Sequence, residues 1–328
     1  MRPVTSNGKT ALVTGGAGFI GSRLVAALLD EGYRVRVLDI QRGRLDGVRS
    51  PELEFFGSGG DGRTGGMMDR RTVHDATEGV DIVFHLALNW DGQGWGAALP
   101  LADRMDVNIR GTLNLLEPVK SNAVKHFLYA SSIAVYGKRD SPVIDEETTC
   151  RPELWRGGPG PGYAITKLTL ERLCLSYHAE FGLPVTVFRI DVVFDDDEYQ
   201  DLSPETIRTA LRGEPLEVGQ GEAGASIHVD DVARAFVAAA LNENAYGQVF
   251  NISNPEALIS DVEVSEIVIR AVGSKSKIQF AESELSGPVI ANVVKAQKLL
   301  QWKPLMGRKD LEEAIVRMTQ KEVSRRRH

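Results

Sequence analysis

The chain has 328 residues, 42% hydrophobic and 25% charged, with 45 acidic against 38 basic side chains and a net charge of −7. That is the composition of a soluble globular protein with one large core and a smaller lobe, and its sign denies a nucleic-acid backbone the usual electrostatic footprint. Two cysteines, Cys150 and Cys174, and six scattered histidines give neither a disulfide framework nor a metal-ligand spacing, so no metal is expected.

The opening residues MRPVTSNGKTALVTGG hold no signal-like apolar segment, and no later apolar run reaches the roughly 18 residues of a membrane span. A cytoplasmic protein with a small-molecule substrate is expected, with no nucleic-acid or membrane partner. The basic tail RRRH reads as a solvated terminus.

The first element is a strand, TALVT, followed by a helix from about Phe19 to Glu31. Between them stand Gly15, Gly18 and Gly21. The first glycine can make a tight turn, the second lets backbone approach a pyrophosphate, and the third lets helix pack on strand. The helix N-terminus then offers free N–H groups and a positive dipole to the anion. The second strand, RVRVLD, ends on Asp39, 18 residues past Gly21. A carboxylate there can accept both ribose hydroxyls of NAD and repels a 2′-phosphate, so NAD is expected rather than NADP. Arg42 and Arg44 lie close enough to soften that preference, or stay idle as loop arginines.

Next come VDIVFHLA, IRGTLNLLEPV, HFLYASS, a helix carrying YAITK, and PVTVFRI. This alternation predicts an α/β Rossmann fold, a doubly wound parallel sheet whose Val/Ile/Leu strands are buried on both faces. Tyr163 and Lys167 stand four apart on one helix face, a spacing that suits a proton-transfer pair and equally an ordinary helix surface.

After Arg189 the pattern loosens. DVVFDDDEYQD reads as an acidic loop, SPETIRTALRG as a short helix, HVDDVARAFVAAALNE as a long one and GQVFNIS as a strand. Helices follow from about Asp261 to Val272, from Asn292 to Gln301, and from Lys309 onward. Residues 1–190 are expected to form the dinucleotide-binding domain, with 228–253 returning to it, and 191–328 a smaller C-terminal α/β substrate lobe. The glycine-rich pieces at 57–66 and 156–162 read as surface loops.

Taken together, TGGAGFIGS, HLAL, VNIRGTLNLLE, YASSIAVYG, YAITK, HVDDVARAF and AQKLLQWKP resemble the extended short-chain dehydrogenase/reductase family, its NAD-dependent epimerase/dehydratase group, over roughly residues 9 to 305. The resemblance implies that Tyr163 is the general acid/base, that Lys167 holds the nicotinamide ribose and lowers the tyrosine pKa, and that Ser132 orients the substrate oxygen. It runs the cofactor past Gly15, Gly18, Phe19, Ile20, Gly21, Asp39, Ile40, Leu86, Ala87, Tyr163, Lys167 and Ile190. It sets Asn89, Ser132, Asp191 and Val192 beside the substrate, and implies a homodimer through two helices of the large domain. Asn108 matches a family asparagine near the active site, or serves as a helix-stabilising polar group. The acid that contacts adenine in the family falls here at Gly66, with Asp61 as the nearby substitute.

Departures from the family pattern bear on the substrate. Where nucleotide-sugar enzymes of the family hold a diphosphate, this chain has Val192 for an asparagine and Gly224 for an arginine, no Lys or Arg in 280–294, and four acids at 195–198. A buried diphosphate without cations is costly. Arg208 and Arg212 could compensate, or the acidic run could be a solvated loop facing away. Ile133 and Ala134 follow Ser132 where dehydratases carry an Asp-Glu pair.

The expected function is NAD-dependent redox or epimerisation at a secondary alcohol of a sugar, sugar-derived or polyol-like substrate. The alternatives are a nucleotide-sugar 4-epimerase or decarboxylase with a rearranged diphosphate site, and a non-catalytic NAD sensor. Asp191 could accept a substrate hydroxyl or pair with an ammonium, or merely cap backbone N–H groups.

Overall fold

The structure, a computed structural model, describes residues 6–57, 65–90, 99–138, 140–158, 160–219, 221, 223–281 and 288–325. Asp61 lies outside the described residues, as do most of the 57–66 glycine-rich piece and of the RRRH tail.

Chain order is β1 (Thr10–Thr14), α1 (Phe19–Asp30), β2 (Arg34–Asp39), β3 (Leu53–Gly57), α2 (Arg70–Thr77), β4 (Ile82–His85), α3 (Leu101–Ser121) and β5 (His126–Ser132). Then follow β6 (Val143–Ile144), α4 (Gly160–Phe181), β7 (Val185–Ile190), β8 (Val192–Asp195), β9 (Glu198–Tyr199), α5 (Pro204–Leu211), β10 (Leu216–Gly219), β11 (Ala223–Gly224) and β12 (Ser226–His228). The last elements are α6 (Val229–Ala239), β13 (Gln248–Ile252), β14 (Ile259–Ser260), α7 (Asp261–Val272), β15 (Ile278–Ala281), β16 (Pro288–Ala291), α8 (Val294–Leu300) and α9 (Arg308–Arg325).

Seven strands form one parallel sheet in the order β13-β7-β5-β4-β1-β2-β3. Strand periodicity divides its residues between two cores. Ala11 and Val13 pack under α1 and α6 with Leu24, Leu28 and Phe236, whereas Leu12 between them packs with Leu115, Leu116 and Leu170 under α3 and α4. Both faces are therefore covered, which is why these strands carry little polar sequence. The order reverses between β1 and β4, and the crevice opened there at the strand C-termini is where α/β sheets bind ligands.

A third core joins α5, α7 and α9 to Phe194, Tyr199 and Ile259. This lobe is laced by short strands, β12-β8-β9, β10-β15 and β14-β11-β16-β6. The stretch 191–201, expected as a loop, contains a β-hairpin instead: β8 and β9 pair antiparallel through Phe194 and Tyr199. Its acids obscured a buried edge, because Phe194 and Tyr199 point into the lobe core while Asp195 is neutralised by a distant arginine. Helix α2 and the lobe's short strands carry patterns too brief to read in advance. Among the described residues no helix is long and apolar enough to cross a membrane.

Candidate active site

The crevice is a cavity of about 1620 Å³ running from the β1–α1 turn to the C-terminal lobe. At one end Gly15 turns with φ 69°, and a Cβ there would lie 2.7 Å from the Ala87 nitrogen. A Cβ on Gly21 would lie 2.1 Å from the Gly15 carbonyl oxygen, so the helix meets the turn with no room for a side chain. Gly18 is the N-cap of α1 and supplies no side-chain hydrogen bond, and the first turn holds no acid. The helix thus presents uncapped N–H groups and positive dipole where Gly18, Phe19 and Ile20 line the cavity, a cradle suited to a pyrophosphate.

Asp39 stands beside it at the end of β2. Its Oδ2 accepts the Ala17 N–H at 2.9 Å and its Oδ1 the Ile40 N–H at 2.8 Å. Burial raises its pKa, and those backbone donors oppose the rise. Gly66, where the family's adenine acid falls, has φ 57°, and a Cβ on it would lie 2.9 Å from the Ile40 side chain. Arg42 stacks on Phe55, 5.0 Å from its ring centroid.

Beyond β4, the Leu86 and Ala87 N–H groups donate to the Thr14 carbonyl and hydroxyl at 3.1 and 3.3 Å. Asn108 grips the following loop from α3: its side chain accepts the Asn89 N–H at 2.7 Å and donates to the Asn89 carbonyl at 3.0 Å. Asn108 thus lines the cavity and shapes its wall through the Asn89 backbone rather than stabilising its own helix. Beneath lies His85, fully buried, with Nδ1 2.7 Å from the Thr14 hydroxyl and Nε2 2.9 Å from that of Thr112. Burial, helped by the nearby Lys167 charge, pushes its pKa down to about 3.

Ser132, Tyr163 and Lys167 converge at the middle of the cavity. Ser132 ends β5 and caps the 3-10 turn Ile133–Tyr136, accepting the Ala134 N–H at 3.2 Å. Tyr163 sits half-buried in the first turn of α4; burial raises its phenol pKa, and a hydrogen bond with Ser132 lowers it. Lys167, one turn on, donates from Nζ to the Ala130 carbonyl at 2.7 Å and lies 5.7 Å from the Tyr163 ring centroid. Burial lowers its ammonium to about 7. Trp90 meets the Tyr163 ring edge-on at 5.2 Å, a contact that sequence patterning did not flag.

Ile190 ends the neighbouring strand β7 and Asp191 follows it, both lining the cavity. Asp191 is buried, its carboxylate accepting the Val192 N–H at 2.8 Å and the Ser253 hydroxyl at 2.6 Å. The lining also includes Val192, Gly224, Asp197, Glu198, Asp201 and Glu217.

Five described lysines or arginines line the cavity, and each has a partner in the protein. Arg44 pairs with Glu198 at 2.5 Å, Lys321 with Asp197 at 2.7 Å and Arg325 with Glu322 at 3.8 Å. Lys167 is held by Ala130, and Arg156 donates to the Glu153 and Trp155 carbonyls at 3.2 Å. Arg208 and Arg212, which could have compensated, are committed elsewhere. Arg208 binds Glu322 at 2.7 Å, and Arg212 binds Glu214 at 2.7 Å and Glu205 at 3.0 Å. Asp195, Asp196 and His228 cluster within metal-ligand reach, but Arg23 already engages both Asp195 oxygens at 2.8 Å.

The model of the NAD dependent epimerase/dehydratase family matches residues 11–253. A UDP-glucuronate 4-epimerase of Thermodesulfobacterium geofontis is 30% identical over 93% of this chain and 94% of its own. A UDP-N-acetyl-alpha-D-glucosaminuronate decarboxylase of Bacillus cytotoxicus is 30% identical over 82% of each chain. Among solved structures, UDP-glucuronic acid 4-epimerase from Bacillus cereus, in complex with UDP-glucuronic acid and NAD, superposes with a TM-score of 0.75 at 27% identity, covering 95% of this chain and 99% of its own.

Proposed function

The chain belongs to the NAD dependent epimerase/dehydratase family, and we propose that Tyr163, Ser132 and Lys167 make it an NAD-dependent oxidoreductase or epimerase of a sugar-type secondary alcohol. It is an NAD-dependent enzyme of the extended short-chain dehydrogenase/reductase type. The convergence of the phenol, the serine hydroxyl and the ammonium on one stretch of cavity wall carries the reading.

NAD, when bound, supplies the hydride acceptor. The protein's own groups handle the proton and the fit. Tyr163, as the phenolate, takes the alcohol proton, Ser132 holds the substrate oxygen beside it, and Lys167 in its protonated form favours that phenolate by its charge. The α1 N-terminus would hold the pyrophosphate, and Asp39 would accept the ribose hydroxyls. Leu86 and Ala87 would bring backbone past the cofactor, and Ile40 and Ile190, which line the same cavity, would flank it. Asn89, Asp191 and Val192 line the substrate end. Retention of the ketone at Ser132 and Tyr163 with its other face turned to the cofactor would let the same groups serve an epimerisation.

The substrate proposed is a sugar, sugar-derived or polyol-like molecule. Ion pairing of Arg44, Lys321 and Arg325 within the protein, with Lys167 and Arg156 held on backbone carbonyls, supports one without a diphosphate. The UDP-sugar names of the relatives favour a second reading, a nucleotide-sugar 4-epimerase or decarboxylase whose diphosphate displaces one of those pairs. Calorimetric titration of the NAD-bound protein with UDP, dTDP and GDP, followed by a turnover panel of free sugars and polyols, separates the two. Turnover of an unphosphorylated polyhydroxy compound with no nucleotide binding supports the first. Micromolar binding of UDP or dTDP replaces it with the second.

The same proposal divides the chain into a cofactor half, 1–190 with 228–253, and a substrate half, 191–328. The packing of α6 on α1 and the place of β13 at the sheet edge support that division. A homodimer through α3 and α4 is also proposed; light scattering tests it.

A further inference from the structure

The acidic run at 195–198 does not face solvent idly; its members reach three separate elements. Asp195 engages Arg23 of α1, Asp197 engages Lys321 of α9, and Glu198 engages Arg44 in the 3-10 turn after β2. The last of these bears on the cofactor. Arg44 is fixed close to Asp39, because Ala17 donates its N–H to the Asp39 carboxylate and accepts the Arg44 N–H at 3.0 Å on its carbonyl. Asp39, Arg44 and Glu198 all line the same cavity. The Arg44 guanidinium lies 4.9 Å from the Phe19 ring centroid, at the first turn of α1, with its Nη2 2.5 Å from Glu198 Oε2.

A guanidinium near the acid that ends β2 is what accommodates a 2′-phosphate in NADP-binding Rossmann folds. Here that guanidinium exists but is drawn to a carboxylate arriving from the β8–β9 hairpin, 154 residues away in the chain.

We propose that Glu198 is a second cofactor-specificity residue, which keeps the enzyme selective for NAD by occupying Arg44 and denying it to a 2′-phosphate. The proposal rests on Asp39 lying at the adenosine ribose. Asp39 rejects the phosphate directly by its charge, and Glu198 engages a nearby cation, Arg44, that would offset this rejection. Both side chains of the Arg44–Glu198 pair are partly exposed, so the pair is weak and salt-screened. The guanidinium is accordingly released by a single substitution.

The test measures dissociation constants of NAD and NADP by calorimetry at low salt for the unmutated protein, Glu198→Gln, Arg44→Ala and the double variant. Glu198→Gln is expected to tighten NADP roughly 3- to 10-fold while NAD changes by less than about 2-fold, and the gain is expected to vanish in the Arg44→Ala background. No gain for NADP overturns the proposal. A gain that persists without Arg44 also overturns it, because Glu198 would then act by plain repulsion. Failure of the ribose assignment itself reads out separately: Asp39→Ala would leave the NAD to NADP ratio unchanged.

Discussion

Glu171 and Arg189 are joined by two hydrogen bonds of 2.6 and 3.1 Å where neither side chain sees more than a trace of solvent. Glu171 lies one turn beyond Lys167 on the face of α4 that begins with Tyr163, and it also accepts the Ser131 hydroxyl at 3.1 Å. Arg189 continues to the Tyr136 hydroxyl at 2.9 Å and the Glu146 carbonyl at 3.1 Å. The pair thus ties α4, the helix of Tyr163 and Lys167, to the ends of β5 and β7, the strands that carry Ser132 and lead to Asp191.

Removing one partner leaves a buried charge uncompensated. Glu171→Gln or Arg189→Met is therefore expected to destabilise the fold by about 3 to 5 kcal/mol, whereas surface pairs such as Arg110 with Asp106 are worth a fraction of that. Urea unfolding of each variant measures it. A loss below about 1 kcal/mol for both would mean that the network is dispensable.

The chemistry predicts a split between binding and turnover. Tyr163→Phe is expected to retain NAD affinity while turnover falls by roughly 10²- to 10⁴-fold, the contribution of a positioned general acid/base. Lys167→Ala should damage both, because its ammonium is proposed to hold the nicotinamide ribose. Full activity in Tyr163→Phe would contradict the assignment.

Cofactor preference offers a third measurement. With the Asp39 carboxylate held open to the cavity by Ala17 and Ile40, NAD is expected to bind more tightly than NADP, and Asp39→Ala should narrow the gap. Equal affinities in the unmutated protein would refute the role given to Asp39.

Acid stability should report on His85. Its folded pKa of about 3 lies below the unfolded value near 6.5, so the unfolded chain binds the proton first as pH falls. Stability is then lost between pH 6.5 and 3, at up to about 1.4 kcal/mol per pH unit for this one group. His85→Gln, which retains a donor and an acceptor for the two threonines, should reduce the loss between pH 6.5 and 4.5 by about 2 to 3 kcal/mol. Buried His126, also at about 3, keeps its own share in both proteins. Identical pH profiles would show that His85 does not titrate on unfolding.

What the sequence by itself determined is whatever repeats or sits at short range. Alternating strands and helices, the Gly15, Gly18 and Gly21 spacing, Asp39 at a strand end and the four-residue step from Tyr163 to Lys167 are properties of neighbouring residues. Backbone period then fixes which face each side chain occupies. The tertiary structure alone decided who neutralises whom. Arg23 and Asp195 are 172 residues apart, and Arg44 and Glu198 are 154 apart. Asn108 is bound to the backbone of Asn89 across two elements, and Glu171 finds Arg189 only when α4 lies on the sheet. Sequence registers the charge of the 195–198 run but not its counter-ions, since an ion pair depends on distance in space and carries no periodic signal. The acids that looked like an open loop belong to a hairpin because Phe194 and Tyr199 bury in the lobe core, and the fold brings Arg23, Arg44 and Lys321 to meet the charges.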